Sequence, residues 1–104
     1  MHVSGIYVIT NMKNGKQYVG QTDDLPRRRD QHLHSLQKGK HPNKQMQRDF
    51  KKYKTFFRWD VLEMCPPTDL NRREKYWIEK LQTMAPKGYN QTWVPYKRKT
   101  NLRK

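Results

Sequence analysis

This chain has 104 residues, with 23 Lys and Arg against 9 Asp and Glu, a formal charge of +14, and a pI near 10.2. That length holds one modest core, so one domain of sheet and packed helices is expected. The charge is far beyond the roughly 2–8 that solubility asks of a small domain, and its natural partner is a polyanion. A lone Cys65 excludes an internal disulfide. No apolar run is long enough for a bilayer, no signal peptide is visible, and the basic residues form no separate amphipathic segment. A soluble intracellular protein without a membrane partner is expected.

Ser4 to Thr10 is β-branched and aromatic, and reads as a strand. Asn14-Gly15 signals a hairpin, with Gln17 to Gly20 as the return strand. A two-residue turn there sets Asn11 opposite Tyr18 and Tyr7 opposite Thr22, so both tyrosines share one face. Thr22, Asp23 and Asp24 offer capping oxygens for a helix with Pro26 in its first turn. That helix runs to about Lys38, with Gly39 as its stop. Leu25, Leu33 and Leu36 mark its inner side, and Arg28 and His32 lie four apart beside that stripe.

His41-Pro42-Asn43 is a break, and Asn43 can cap a second helix over about Lys44 to Tyr53, where Met46, Phe50 and Tyr53 recur at helical spacing. Phe56 to Glu63 has strand composition and ends at Pro66-Pro67. Thr68 or Asp69 can cap a third helix, which turns Leu70, Trp77, Ile78 and Leu81 inward. Gly88-Tyr89-Asn90 is turn-like and precedes a short extended stretch. The chain thus divides into a folded domain over 1–93 and a flexible basic tail over 94–104.

Glu74 is the anomaly of the third helix, because it stands in the row of Leu70, Trp77, Ile78 and Leu81. A carboxylate there is costly to bury unless it is paired or binds a cation, and periodicity weighs those two readings equally. Arg28 offers bidentate donors suited to phosphate, and His32 can relay a proton or donate to an oxygen. Arg27 and Arg29 read as a charged helix face or as non-specific phosphate contacts. Tyr7 and Tyr18 alone read as strand packing. His32, His34, His41 and Cys65 do not form a zinc spacing.

Taken together, Gly5-Ile6-Tyr7 and Tyr18-Val19-Gly20, followed by Arg28, His32, His41, Glu74 and Asn90, resemble the GIY-YIG endonuclease superfamily over roughly residues 4 to 92. The branch most resembled is the catalytic domain of phage intron-encoded homing endonucleases. Val19 departs mildly from the second triplet, changing only apolar bulk. The resemblance implies an α+β fold, a small three-stranded antiparallel sheet flanked by helices. It implies a nuclease domain over 1–93 and hydrolysis of DNA phosphodiester bonds with Mg²⁺ or Mn²⁺.

In that pattern Glu74 is the metal ligand, Arg28 engages the scissile phosphate, and Tyr7 activates the attacking water with Tyr18 near the nucleophile. His32 is a further active-site position, and His41 and Asn90 are supporting ones. A free tyrosine titrates near about 10, so cations must lower its pKa or His32 must take the proton instead. No separate DNA-recognition region follows Asn90, so relaxed sequence preference is expected, with affinity dominated by phosphate contacts. Arg27, Arg29, Lys97, Arg98 and Lys99 are candidate contacts, and a protein partner or a dimer would add specificity. A nuclease for structured or single-stranded substrates and a non-catalytic DNA-binding module are the alternatives. The presence of Glu74, Arg28 and both tyrosines argues against the module.

Overall fold

The computed structural model describes residues 3–91. Strands β1 (Gly5–Asn11), β2 (Gln17–Thr22) and β3 (Phe57–Met64) form one antiparallel sheet in the order β2-β1-β3. Helices α1 (Leu25–Lys38), α2 (Lys44–Tyr53) and α3 (Leu70–Leu81) cover it, giving the three-stranded α+β arrangement expected. β1 takes the centre because it is apolar on both faces. Ile6 and Val8 point one way and pack with Val19, Leu70 and Ile78 under α3. Tyr7 and Ile9 point the other way, against Leu25 and Leu36 of α1, Met46 and Phe50 of α2, and Tyr89. Among the described residues, no helix is long and apolar enough to cross a membrane.

The hairpin differs from expectation. Tyr7 pairs with Gly20, and Ile9 with Tyr18, two residues away from the register of a two-residue turn. Such a turn of type I′ needs positive φ at both central residues, and here only Gly15 has it (φ 81). Side chains shape a longer loop instead: Asn11 accepts from the Lys13 N–H and Asn14 from the Lys16 N–H. A slip of two leaves the alternation intact, so Tyr7 and Tyr18 still share a face.

Local chemistry sets the ends of α1. The Asp24 carboxylate accepts the Arg27 N–H, and Gly39 closes the helix in the left-handed region (φ 74). Its inner row is Leu25, His32 and Leu36, while Leu33 is 47% exposed. The leucine stripe therefore misassigned one place: His32 occupies the sheet side, and Leu33 lies a further 100° round the helix. Asn43 caps α2 by accepting the Met46 N–H. At α3 the expected cap is absent. Asp69 stands at the cap position without a side-chain capping bond, after a 3₁₀ turn over Pro67–Asp69, and its carboxylate lies 3.6 Å from Arg72 instead.

After α3 the chain returns along the outer edge of β2. The Tyr89 N–H donates to the Gln17 carbonyl. The Asn90 side chain brackets Val19, accepting its N–H at 2.8 Å and donating to its carbonyl at 2.9 Å. A side-chain amide thus pairs with the exposed strand edge as a neighbouring backbone would. The extended stretch and basic tail expected beyond this point lie outside the described residues.

Candidate active site

Tyr7 projects from the middle of β1 toward α1, its ring stacked on Trp59 of β3 (centroids 4.4 Å apart, 16° between planes). Gly20 lies directly across the ladder from it. A Cβ at Gly20 would fall on the Tyr7 hydroxyl and ring, so only glycine lets the tyrosine lie across β2. Arg28 and His32, one turn apart on α1, both reach the Tyr7 hydroxyl. The His32 Nε2 stands 2.6 Å from it, and the Arg28 Nε–H donates to it at 3.4 Å.

Behind His32, the His41 Nε2 lies 2.7 Å from the His32 Nδ1, and the Asn43 main-chain N–H donates to the His41 Nδ1 at 3.0 Å. Gln47 anchors this connection, accepting the His41 N–H and donating to the Leu36 carbonyl.

Glu74 arrives from the other layer. α3 packs beneath β2 and carries this buried carboxylate (5% exposed) to the strand edge, where it accepts from the Gln21 amide at 2.8 Å. Tyr7, Tyr18, Arg27, Arg28 and Glu74 together line one cleft of about 400 Å³. Residues from β1, β2, α1 and α3 meet there, on both sides of the sheet.

Burial sets the titration of the site. It pushes the Tyr7 hydroxyl above the ordinary tyrosine range, Tyr18 adds to that, and Arg28 opposes it. Tyr18 is raised by burial and then by Glu74, with Arg28 again opposing. His32 is pushed down to about 3 by burial, then by Arg28 and His41, and His41 to about 4 by burial and then Arg28. Both imidazoles are therefore neutral at pH 7.

The structure separates the remaining sequence candidates. His41 stands one ring behind His32, and Asn90 acts on the Val19 main chain rather than in the cleft. Arg27 lines the cleft, within 4 Å of both Asp23 and Asp24. Arg29 turns to the other side of α1, into a separate groove with Leu33 and Trp59. Lys97, Arg98 and Lys99 lie outside the described residues.

Three contributors were missed. Gln21 was detectable as a polar residue on the Val19 face of β2. Trp59 was an aromatic strand residue whose partner depends on the β1–β3 register. Asn43 was read only as a cap, and its main-chain N–H leaves no mark in a sequence.

Two glycine-bearing triplets on paired strands, with an arginine and a glutamate closing on them from opposite layers, define a GIY-YIG catalytic domain. That family matches residues 3–90, and the chain belongs to it. Over 89 residues the chain is 40% identical to intron-associated endonuclease 1 of Enterobacteria phage T4, covering 84% of this chain and 36% of that protein. The chain thus spans about a third of the length of the curated relative it matches.

Two solved structures are similar. One is the catalytic domain of intron endonuclease I-TevI in a point-mutant form, with a TM-score of 0.81 and 35% identity, covering 91% of this chain and 99% of that one. The other is the catalytic domain of homing endonuclease I-TevI, with a TM-score of 0.79 and 36% identity, covering 86% and 98%.

Proposed function

We propose that this domain is a divalent-metal-dependent DNA endonuclease that hydrolyses phosphodiester bonds in double-stranded DNA. One observation carries the proposal: an arginine, two tyrosines and a buried carboxylate share a single cleft on a strongly basic molecule. The names of the relatives, intron and homing endonucleases, support the reaction class.

Glu74 is the residue that would hold the cation. Among the described residues, no group of three or more His, Cys, Asp or Glu stands together as a metal cage. A single buried carboxylate on a cleft wall fits a hard cation of the Mg²⁺ or Mn²⁺ kind, which keeps most of its shell as water and substrate oxygen. When bound, such an ion supplies positive charge against the phosphoryl oxygens and the leaving group.

The rest of the work falls to the chain itself. Arg28, whose Nε–H donates to Tyr7 and whose Nη1 donates to Gln31 at 3.1 Å, would engage a phosphate oxygen through the N–H groups of its outer nitrogens. Charge gathering on the phosphoryl group as water attacks in line is met by that guanidinium. The proton acceptor for the water lies among Tyr7 and His32, the two titratable groups 2.6 Å apart at this point of the site. Tyr18 lines the same cleft, which supports a role for it beside the nucleophile.

The deciding experiment incubates the protein with supercoiled plasmid and Mg²⁺, beside Glu74→Ala and an EDTA control. Nicking by the native chain that is lost in both controls is expected. Nicking that survives Glu74→Ala would remove Glu74 from the site. Binding without cleavage of any DNA form would mark a non-catalytic module, and cleavage confined to single-stranded or branched DNA would change the substrate.

A further inference from the structure

We propose that Asn43 and His41 are positioning residues, which start a one-way hydrogen-bond chain that makes His32 a donor to the Tyr7 oxygen and bars it from taking the water's proton. The direction follows from donor counting. A main-chain N–H can only donate, so the His41 Nδ1 that receives it from Asn43 is bare. A neutral imidazole carries one N–H and one bare nitrogen, and so the His41 proton sits on Nε2. That N–H points at the His32 Nδ1, 2.7 Å away, which must in turn be bare. The His32 proton is therefore on Nε2, aimed at the Tyr7 oxygen at 2.6 Å. Both rings stay neutral at pH 7 because burial and Arg28 resist a second proton.

Reversal is blocked at the first link. It would turn a His41 Nδ1–H against the Asn43 N–H, donor to donor across 3.0 Å. Asn43 cannot turn away cheaply, since its side chain accepts from the Met46 N–H and donates to the Tyr89 carbonyl. His41 is likewise held by Gln47. Each of these bonds forms part of the α2 start or of the connection leading into it.

The catalytic consequence rests on the nuclease reading of the preceding section. His32 has a proton on Nε2 and a neighbour's N–H against Nδ1, so it has no site for another. Burial holds the Tyr7 hydroxyl above the ordinary tyrosine range, and the two N–H donors it receives, from His32 and Arg28, offset part of that by favouring the ionised form. Ionisation of Tyr7, its proton passing to solvent through the cleft, is therefore an uphill step that precedes attack. The phenolate then takes a proton from water as the water oxygen bonds to phosphorus and the P–O ester bond breaks, its electron pair leaving with the departing oxygen.

Side-chain ¹⁵N–¹H correlation spectra of the full chain test the direction without any assay of cleavage. Both His32 and His41 are expected as neutral rings protonated on Nε2 between about pH 5.5 and 8. A His32 protonated on Nδ1, or on both nitrogens, near neutral pH overturns the proposal whether or not the protein cuts DNA. The expected spectra from a chain that cuts nothing would instead sink the nuclease reading alone.

Three variants complete the test. In His32→Gln the amide nitrogen reaches the place of Nε2 and can still donate to Tyr7, though it cannot act as a base. In His32→Asn the amide stops at the place of Nδ1. His32→Gln is expected to cut about 10²-fold faster than His32→Asn, the scale of one donor to a developing anion, and equal losses overturn the donor role. His41→Ala should leave His32 as a mixture of both tautomers, and an unchanged His32 spectrum overturns the positioning role of His41.

Discussion

Tyr7 and Gly20 face one another across the β1–β2 ladder, and the Tyr7 ring and hydroxyl occupy the space that any side chain at Gly20 would need. Glycine serves here for close approach and not for an unusual backbone angle. Gly20→Ala must therefore push the tyrosine from its stack on Trp59. A loss of about 1–3 kcal/mol in stability is expected, as for other overpacked cores, together with a loss of DNA nicking while Glu74 and Arg28 are untouched. Urea unfolding and a plasmid assay measure the two effects. A variant as stable and active as the parent would contradict the close approach.

Glu74→Gln keeps the shape and the bond-accepting oxygen for Gln21, and removes the charge. Cleavage is expected to drop by at least about 10²-fold, and raising the divalent cation should not restore it. Circular dichroism should show a folded protein. Full rescue at high Mg²⁺ would mean that the charge serves only to tighten metal binding.

The buried histidines make stability depend on pH. Both fold with pKa values depressed from 6.5, to about 3 and about 4, so the unfolded chain binds the extra protons. Their contribution is complete above roughly pH 6.5 and is lost as the pH falls toward those folded values. The slope in that window is up to about 1.4 kcal/mol per pH unit for each ring. Thermal melts from pH 7 down to about 5, where most carboxylates stay ionised, should show Tm falling, and His32→Gln should flatten the fall. A parent Tm independent of pH in this range would show that the rings are not buried as neutral groups.

Asn90→Ala strips β2 of its edge partner. The Val19 N–H and carbonyl and the Thr83 hydroxyl each lose a bond. Buried groups left unpaired cost about 1–3 kcal/mol each, so a destabilisation of several kcal/mol is expected by denaturant unfolding. Hydrogen exchange at the Val19 amide should accelerate well beyond that of β1. Equal protection in both proteins would show that solvent replaces the side chain without loss.

Binding to duplex DNA should fall steeply with salt, since a charge of +14 meets a polyanion through counterion release. Arg27 lines the cleft and is exposed, so Arg27→Ala should lower the slope of log K against log salt by about 1 with no change in sequence preference. Fluorescence anisotropy across a salt series measures both. A slope unaltered in the variant would place Arg27 off the DNA path.

The readable parts were those with local causes. Asp24 and Gly39 set the ends of α1 through a carboxylate on one N–H and a left-handed glycine, and both interactions close within a few residues. β-Branched and aromatic composition placed β1, and helical periodicity singled out Glu74 beside Leu70 and Ile78. The loop of the β1–β2 hairpin was not readable, because Asn11 and Asn14 bend the chain through side-chain bonds that compete with the two-residue turn. Leu33 and His32 exchanged places because hydrophobicity alone ranks the leucine first, while bonds to Tyr7 and His41 compensate the buried imidazole.

By itself the sequence determined the charge, the elements, the faces that Tyr7 and Tyr18 share, and the oddness of a carboxylate among apolar neighbours. Those follow from periodicity and from chemistry within a turn or two of the chain. Only the tertiary structure decided that Glu74 of α3 and Tyr7, which projects from the other face of the sheet, open on one cleft. It alone also decided which way the protons of His41 and His32 point, since a main-chain N–H in a helix cap sets that direction across three elements. Such contacts join residues far apart in the chain, and no spacing along it encodes them.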